Sequence, residues 1–253
     1  MKIIHMTDLH IADKGRAIWD TDTLKHFDLA IKMISQINDV DAIIITGDLS
    51  DDGSVWSYKY IDKAFDYLKI PTFICPGNHD NLDSMHSLIS NNYIRCESQI
   101  TLGNWNFILL NSIVFPYITE RRRYQPYGLI AEEELKMLRE KLCDETKPTV
   151  IALHHPAINP GNWFSKKLLS NDSIFRDTLK DFPCVKMVLY GHFHYNFQLT
   201  ENGILHSIAP AIGFAYNKDL AKYEIARGEE GFNIIELGND IVIKSILINN
   251  DKE

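Results

Sequence analysis

The sequence predicts an α/β protein in which two packed sheets are covered by helices. Short apolar runs alternate with segments of helical spacing through about residue 80, and this alternation is typical of parallel strands joined by crossover helices. The second half is richer in short strands, and its last two apolar runs predict a hairpin around a Gly-Asn-Asp turn. Because no repeat, linker or shift in composition divides the chain, we expect a single domain over residues 1–253.

The first half is predicted to contain three strands and two helices. Each strand is a short apolar run, and each helix carries apolar residues three and four positions apart. The predicted strands are Lys2–Thr7, Ala42–Thr46 and Thr72–Cys75, and the predicted helices are Thr23–Ile37 and Val55–Leu68.

The second half is predicted to contain two more helices and further strands. The predicted helices are Ala131–Leu142 and Ser173–Leu179, and the predicted strands are Trp105–Phe115, Thr149–Leu153, Val185–Tyr190, Gly231–Leu237 and Asp240–Ile248. We expect the residues after about 195 to supply either a cap or a dimer contact, and the sequence leaves that choice open.

Composition and charge exclude several classes of protein. With 45% hydrophobic and 24% charged residues, the chain has enough apolar surface to fold. A formal net charge of −8 argues against a general affinity for nucleic-acid backbone. The apolar runs are too short to span a membrane, and the first residues do not resemble a signal peptide. Four separated cysteines without a CxxC pair indicate reduced thiols, so we expect a cytoplasmic protein.

Five polar segments each follow a predicted strand. They are Asp8-Leu9-His10, Gly47-Asp48, Gly77-Asn78-His79-Asp80, His154-His155-Pro156 and Gly191-His192-Phe193-His194. Ligand sites in open α/β sheets form at the carboxyl ends of the strands, so we expect these segments to converge. Alternate residues of an extended segment point the same way. Asp8 and His10 are therefore expected to reach one centre, while His192 and His194 address the same site or two adjacent ions.

The residue types in these segments suit metal ions. Imidazole nitrogens together with carboxylate and amide oxygens suit Mn, Fe, Zn and similar ions, and the segments offer no thiolate. Seven candidate ligands are too many for one tetrahedral zinc site and are enough for two ions with room for water. Two ions roughly 3.5–4 Å apart are the usual arrangement for in-line attack at phosphorus. Asp48 offers two oxygens and can bridge such a pair.

In order and residue type, the five segments resemble the calcineurin-like metallophosphoesterase superfamily, whose pattern reads D-x-H, G-D, G-N-H-[DE], H and G-H-x-H. The motifs extend from residue 8 to residue 194. Their spacing, together with His154-His155-Pro156, is most similar to the branch of cyclic-nucleotide and glycerophosphodiester phosphodiesterases. The resemblance implies a four-layer α/β/β/α sandwich of two packed mixed sheets with outer helices. It also implies in-line attack by a metal-bridging hydroxide, without a covalent enzyme intermediate.

The resemblance further implies a role for each matching residue. The implied ligands are Asp8, His10 and His194 for the first ion, Asn78, His154 and His192 for the second, and Asp48 as the bridge. Two divalent or mixed-valence ions are expected, with Mn, Fe and Zn all open. His79 would stabilise the phosphoryl charge or protonate the leaving oxygen, and Asp80 would orient it. His155 is expected to pack or to support a ligand instead of binding metal, and Asp51 to turn the chain or support a ligand.

Three residues outside the motifs are candidates for substrate binding. Arg121 and Arg123 belong to a dense basic run, for which a solvated loop, an anion clamp and a partner surface remain alternatives. Trp163 lies in the loop after the His154 motif. It is expected to stack on a base or line a substrate wall, and core packing or surface exposure is left open as the alternative.

The sequence therefore predicts a metal-dependent phosphodiesterase for a small soluble diester, a cyclic nucleotide or a glycerophosphodiester. The alternatives are a phosphomonoesterase acting on a phosphorylated metabolite, a nuclease and a non-catalytic scaffold of the same fold. The net charge of −8 disfavours the nuclease. The complete ligand set and the presence of His79 disfavour the scaffold. We expect no nucleic-acid polymer and no membrane as partner, and a homodimer is left open.

Overall fold

Two six-stranded sheets form the centre of the computed structural model, which describes residues 1–113, 127–220 and 222–248. The strands are β1 (Lys2–Met6), β2 (Ala42–Thr46), β3 (Thr72–Cys75), β4 (Ile94–Arg95), β5 (Gln99–Leu102), β6 (Trp105–Leu109), β7 (Thr149–Ala152), β8 (Val185–Tyr190), β9 (Phe197–Glu201), β10 (Ile204–Ile208), β11 (Gly231–Leu237) and β12 (Ile241–Leu247). The helices are α1 (Thr23–Ile34), α2 (Val55–Leu68), α3 (Leu82–Leu88), α4 (Glu132–Cys143) and α5 (Asp172–Lys180). Short 3₁₀ turns occupy Asp13–Gly15 and Trp163–Lys167.

Both sheets mix parallel and antiparallel pairing, as the sequence predicted. The first has the order β12-β11-β1-β2-β3-β4, with β1 to β4 parallel and β11 and β12 antiparallel. The second has the order β5-β6-β7-β8-β10-β9, with β6, β7, β8 and β10 parallel and antiparallel strands at both edges. The predicted hairpin of the last two runs is the β11–β12 pair.

Strand β2 shows why the sheets are covered on both faces. Its residues are all buried, and because side chains alternate along a strand they serve two different cores. Ile43 and Ile45 pack with Phe27 of α1 and Phe65 of α2. The residue between them, Ile44, packs in the core that separates the two sheets.

The second sheet repeats this arrangement on its outer side. Leu138 of α4 and Phe175 of α5 pack with Ile151 of β7 and Val188 of β8. Together with the core between the sheets, this gives four layers in the order helices, sheet, sheet, helices. The predicted α/β/β/α sandwich is confirmed.

The elements that sequence patterning missed are short. Helix α3 has seven residues, too few for a clear period, and its start is marked only by Asn81, whose side chain accepts from the Ser84 backbone N–H. The predicted helix Thr23–Ile37 ends at Ile34, and the predicted strand Trp105–Phe115 ends at Leu109. Residues 114–126 lie outside the described ranges.

The chain after residue 195 completes both sheets. Strands β9 and β10 extend the second sheet, and β11 and β12 extend the first. The expected cap or dimer contact in this region stays a prediction. Among the described residues, none of the helices combines the length and apolarity needed to cross a bilayer.

Candidate active site

The five polar segments come together where the carboxyl ends of the two sheets meet. Asp8 and His10 follow β1, Asp48 follows β2 and Asn78 follows β3, all in the first sheet. The segment of His154 follows β7, and the segment of His192 and His194 follows β8, in the second sheet. Ligand atoms of one group lie within 4.8 Å of one another, and that group is Asp8, His10, Asp48 and His194.

The first group directs two imidazole lone pairs at one point. His10 Nδ1 lies 3.1 Å from Asp51 Oδ1, and His194 Nδ1 lies 2.7 Å from the Phe214 carbonyl oxygen. Because a carboxylate and a carbonyl only accept, each Nδ1 carries the hydrogen and each Nε2 keeps its lone pair. The two Nε2 atoms lie 3.2 Å apart. Such an arrangement is suited to a shared cation.

A second group of donors is built the same way. His154 Nδ1 donates to the Thr46 carbonyl oxygen at 2.7 Å, which leaves His154 Nε2 facing the site. This Nε2 lies 3.1 Å from Asn78 Oδ1 and 3.2 Å from His192 Nδ1. One amide oxygen and two imidazole nitrogens therefore converge on a second point.

Asp48 lies between the two groups. Its Oδ1 accepts the His79 backbone N–H at 2.8 Å. Its Oδ2 lies 3.6 Å from His10 Nε2 and 3.4 Å from His154 Nε2, one atom from each group. Burial acts to raise the pKa of the Asp48 carboxyl, but the imidazoles of His154, His79 and His10 hold that pKa well below its usual range. The carboxylate is thus ionised and within reach of both groups.

Asp8 provides the test of whether the site fits cations. Its Oδ2 accepts from the Thr7 hydroxyl at 2.7 Å and from the His192 backbone N–H at 2.8 Å. Its Oδ1 is buried and accepts no hydrogen bond from the described residues, although it lies 3.1 Å from His194 Nε2. An unpaired buried carboxylate oxygen beside an imidazole lone pair is costly unless a cation lies between them. The residues present fit divalent cations.

The backbone at the site is unusual. Leu9 and Phe193, each between two candidate ligands, are fully buried. The expectation that the D-x-H and H-x-H segments are extended is wrong, because their polar residues have left-handed backbone. The candidate ligands with positive φ are Asp8 (52°), His10 (47°), Asp48 (52°), His192 (73°) and His194 (57°). Each such residue costs roughly 1–3 kcal/mol, and strain of this kind clusters at functional sites.

Close packing explains two glycines of the motifs. Gly47 has φ +86°, and a Cβ there would lie 2.7 Å from the Gly77 backbone and from His154 Nδ1. A Cβ at Gly191 would lie 1.9 Å from Thr7 Oγ1 and 2.8 Å from Asp8 Oδ2. Side chains at these positions would displace the donors described above.

His79 lines the cavity beside the two groups, and its Nδ1 lies 3.1 Å from the Asp51 carbonyl oxygen. The expected orientation of His79 by Asp80 stays a prediction. The Asp80 carboxylate binds backbone N–H groups of its own loop and of the loop after β2. It accepts from the N–H groups of Leu49 (3.2 Å), Ser50 (3.1 Å) and Gly77 (2.9 Å) and from the Tyr58 hydroxyl (3.0 Å). Burial and the Asp48 charge raise the pKa of Asp80 to about 6.

Asp51 and His155 lie next to the candidate ligands. Asp51, at 3.1 Å from His10 and 3.5 Å from His79, is the acidic side chain beside both rings. His155 is fully buried and close to the second group, with its ring 4.6 Å from that of His192. Its Nδ1 pairs with the Ser112 hydroxyl at 2.9 Å, and within the part of the chain that the structure describes its Nε2 makes no hydrogen bond. The expectation that His155 packs or supports a ligand stays a prediction.

The aromatic residues that line the cavity are not the one that the sequence suggested. The cavity measures about 520 Å³, and its aromatic lining comprises Trp19, Phe214, Tyr216 and Tyr223. Trp163 does not line it, because its ring lies behind Tyr223 at 4.6 Å in a T-shaped contact. Neither Trp19 nor Tyr223 belongs to a motif, so no pattern in the sequence marked them. Arg121 and Arg123 lie outside the described residues.

The sequence model of the family described as calcineurin-like phosphoesterase matches residues 1–196. The chain belongs to this family. Calcineurin-like phosphoesterases are hydrolases, and the expected enzyme class is confirmed. The matched region contains all five polar segments.

Relatives of this calcineurin-like phosphoesterase extend over nearly the whole chain. A 3′,5′-cyclic-nucleotide phosphodiesterase of Nostoc sp. is 29% identical over 250 residues, covering 95% of this chain and 89% of the relative. The 3′,5′-cyclic adenosine monophosphate phosphodiesterase CpdA of Escherichia coli is 27% identical, covering 95% of this chain and 86% of the relative.

Solved structures agree on the fold of the phosphoesterase. A dimetal phosphatase from Danio rerio superposes with a TM-score of 0.74 at 16% identity, covering 98% of this chain and 96% of the other. GAP50, the anchor in the inner membrane complex of Plasmodium, superposes with a TM-score of 0.67 at 16% identity, covering 100% of this chain and 86% of the other. An enzyme and an anchor thus share this fold, so function has to be argued from the site.

Proposed function

We propose that this chain is a two-metal phosphodiesterase that hydrolyses a 3′,5′-cyclic nucleotide. The observation that carries the proposal is the position of Asp48 Oδ2, 3.6 Å from His10 Nε2 and 3.4 Å from His154 Nε2. A carboxylate oxygen between two sets of imidazole lone pairs is the arrangement expected of a ligand shared by two cations.

Each proposed cation has its own set of ligands. Asp8, His10 and His194 would hold the first, Asn78, His154 and His192 would hold the second, and Asp48 would be shared. When bound, two divalent cations supply positive charge for the phosphoryl oxygens and lower the pKa of water. Mn, Fe and Zn all suit this mixture of nitrogen and oxygen donors.

The remaining steps depend on residues of the chain. Water attacks phosphorus opposite the leaving oxygen and releases one proton to the solvent, so one P–O bond forms as the ester P–O bond breaks. His79 lines the cavity next to Asp48 and donates the proton that the leaving oxygen needs. Asp51 accepts from the His79 Nδ1–H through its carbonyl oxygen, which directs the other ring nitrogen away from the backbone.

The choice of a cyclic nucleotide is supported by the relatives and by the cavity. The Nostoc and Escherichia coli relatives, which match 95% of this chain, are named for cyclic nucleotides. A cavity of about 520 Å³ lies within the roughly 300–1,000 Å³ usual for small-molecule sites. We further propose a cytoplasmic location, where such nucleotides are found, and no polymer or membrane partner.

Asp48→Ala tests the shared-ligand arrangement. We expect manganese-loaded wild-type protein to hydrolyse 3′,5′-cyclic AMP and bis-p-nitrophenyl phosphate in preference to p-nitrophenyl phosphate. The variant should lose this activity and its bound manganese together, because one side chain serves both ions. Activity is measured on the three substrates, and metal content by inductively coupled plasma mass spectrometry.

Asp28→Ala is the matched control, because Asp28 is an exposed carboxylate that pairs with the Tyr60 hydroxyl at 2.8 Å, away from the site. It should keep both activity and metal. Wild-type activity in the Asp48 variant would contradict the two-metal arrangement. A preference for p-nitrophenyl phosphate would replace the phosphodiesterase by a phosphomonoesterase, and no hydrolysis by metal-loaded protein would favour a scaffold.

A further inference from the structure

We infer that an aromatic wall of the cavity, formed by Tyr216, Tyr223 and Trp19, binds the nucleobase of the substrate, with Lys167 as its hydrogen-bond donor. This inference rests on the proposed function, since it assigns the part of a cyclic nucleotide that lies away from the phosphorus. None of these four residues belongs to the five polar segments.

The aromatic wall begins at the candidate metal ligands and leads outward. Tyr216 stacks on His194 with ring centroids 4.8 Å apart and an interplanar angle of 24°. Tyr223 follows at 5.1 Å from Tyr216, and Trp19 at 6.2 Å from Tyr223. All three rings line the same cavity as Asp48, so a ligand held at the polar groups has these rings beside it.

The outer rings of the wall are exposed to the cavity. Trp19 is 59% exposed and Tyr223 is 42% exposed, although large aromatic side chains normally bury most of their surface. Exposed apolar surface within a cavity marks a binding site. A flat heteroaromatic ring is the ligand group that best covers such faces, because every nucleobase has a π-face that can stack.

Lys167 supplies charge to this wall. Its ammonium nitrogen lies 4.0 Å from the ring centroid of Tyr223 and 5.5 Å from that of Trp163. Within the described ranges it forms no ion pair with a carboxylate, whereas Arg16, the other lysine or arginine lining the cavity, lies 3.5 Å from both Asp51 and Asp52. Burial lowers the pKa of Lys167 to about 8. A donor without a carboxylate partner among the described residues, placed beside these aromatic rings, suits the ring nitrogens and carbonyl oxygens of a base.

The experiment compares 3′,5′-cyclic AMP with 1-deoxyribose 3′,5′-cyclic phosphate, which has the same cyclic diester and no base. Two preferences for cyclic AMP over the base-free ligand are measured. The first is the ratio of the two kcat/KM values on the manganese-loaded enzyme, by ³¹P NMR. The second is the ratio of the two dissociation constants on metal-free protein, by calorimetry. We expect wild-type protein to favour cyclic AMP roughly 5- to 150-fold, the range of base stacking on an aromatic side chain. Trp19→Ala, Tyr223→Ala and Lys167→Met should each reduce both ratios towards one.

The controls are matched in residue type. Lys166→Met removes the neighbouring, exposed lysine, which does not line this cavity, and Tyr67→Ala removes a tyrosine that is 69% exposed on α2. Both should keep the wild-type ratios. Lys167→Arg should keep more of the preference than Lys167→Met, because it retains a donor and a cation over Tyr223.

The outcomes separate this inference from the proposed function. If wild-type protein hydrolyses both ligands with equal kcat/KM values and binds them with equal dissociation constants, the nucleobase site is wrong. The phosphodiesterase activity would still be supported. A wild-type preference for cyclic AMP in the Trp19 and Tyr223 variants would likewise overturn the nucleobase site. A base-dependent difference in dissociation constants without hydrolysis of either ligand would support the nucleobase site and count against the phosphodiesterase.

Discussion

At the scale of single residues, the candidate site depends on hydrogen bonds that orient the rings of three histidines towards its centre. The Nδ1 atoms of His10, His194 and His154 all face acceptors, so the Nε2 atoms all face the centre. The residue types at this site could be predicted from the motifs. Two of the partners that fix the rings could not, because the Phe214 and Thr46 carbonyls belong to the backbone and carry no sequence signal. The third, Asp51, was among the residues expected to turn the chain or support a ligand.

His79→Ala separates proton donation from metal binding. His79 contacts Asp48 through its backbone N–H, and that contact survives the loss of the ring. We expect metal content near that of the wild type and a decrease in kcat of about 10²- to 10⁴-fold, the usual contribution of a general acid. Metal content and kcat on cyclic AMP are measured on the same preparation. Loss of metal in this variant would show that the ring is a ligand, and the assigned roles would be wrong.

At the scale of elements, adjacent strands carry buried polar pairs that have structural consequences. The Tyr190 hydroxyl on β8 donates to His206 Nδ1 on β10 at 2.8 Å, and both residues are buried. Burial lowers the pKa of His206 from 6.5 to about 4, with Glu201 opposing and Arg176 adding to the shift. This histidine is therefore neutral in the folded protein at neutral pH.

The free energy of unfolding should consequently decrease as the pH falls below 6.5. Between pH 6.5 and about 4, His206 gains a proton in the unfolded chain and not in the folded one, which costs about 1.4 kcal/mol per pH unit at most. His206→Gln keeps an acceptor for Tyr190 and should reduce this dependence by the contribution of one histidine, measured by urea unfolding of metal-free protein. His86→Gln, at an exposed histidine of α3, should leave it unchanged. Identical slopes in both variants would show that His206 is not the group responsible.

Helices and strands with a clear pattern of apolar residues could be predicted from the sequence. Short elements that depend on local contacts could not. Ala42–Thr46 and Val55–Leu68 were predicted with the bounds that the structure shows, because one is a buried β-branched run and the other begins at a capping serine. Helix α3 and the two-residue strand β4 have no such pattern. The left-handed backbone at Asp8 was also missed, since an isolated φ value leaves no period in the sequence.

At the scale of the whole molecule, the proposed cations would join two sheets that otherwise meet through an apolar core. Asp8 and His10 belong to the first sheet, and His192 and His194 to the second. The order of the motifs was enough to predict this convergence, because parallel strands deliver their carboxyl ends to one side. The aromatic wall was not predictable, because Trp19 and Tyr223 lie about 200 residues apart in loops.

Metal removal should therefore destabilise the entire fold. At a metal concentration 100 times the dissociation constant, binding adds about 2.7 kcal/mol to the free energy of unfolding. For a chain of this size we expect chelation by EDTA to lower the melting temperature by about 5–10 °C. Differential scanning calorimetry with and without manganese measures the shift. Asp48→Ala should melt at the same temperature in both conditions, and a manganese-dependent shift in that variant would contradict the shared-ligand assignment.

The position of β1 between β2 and β11 has a consequence for protein synthesis. One edge of β1 finds its partner early, but the other waits for residues 231–237, which leave the ribosome after all seven candidate ligands have emerged. During that interval an apolar strand has an open edge that can pair with other chains. Pairing with β11 therefore closes the edge along which a partly synthesised chain could associate with another.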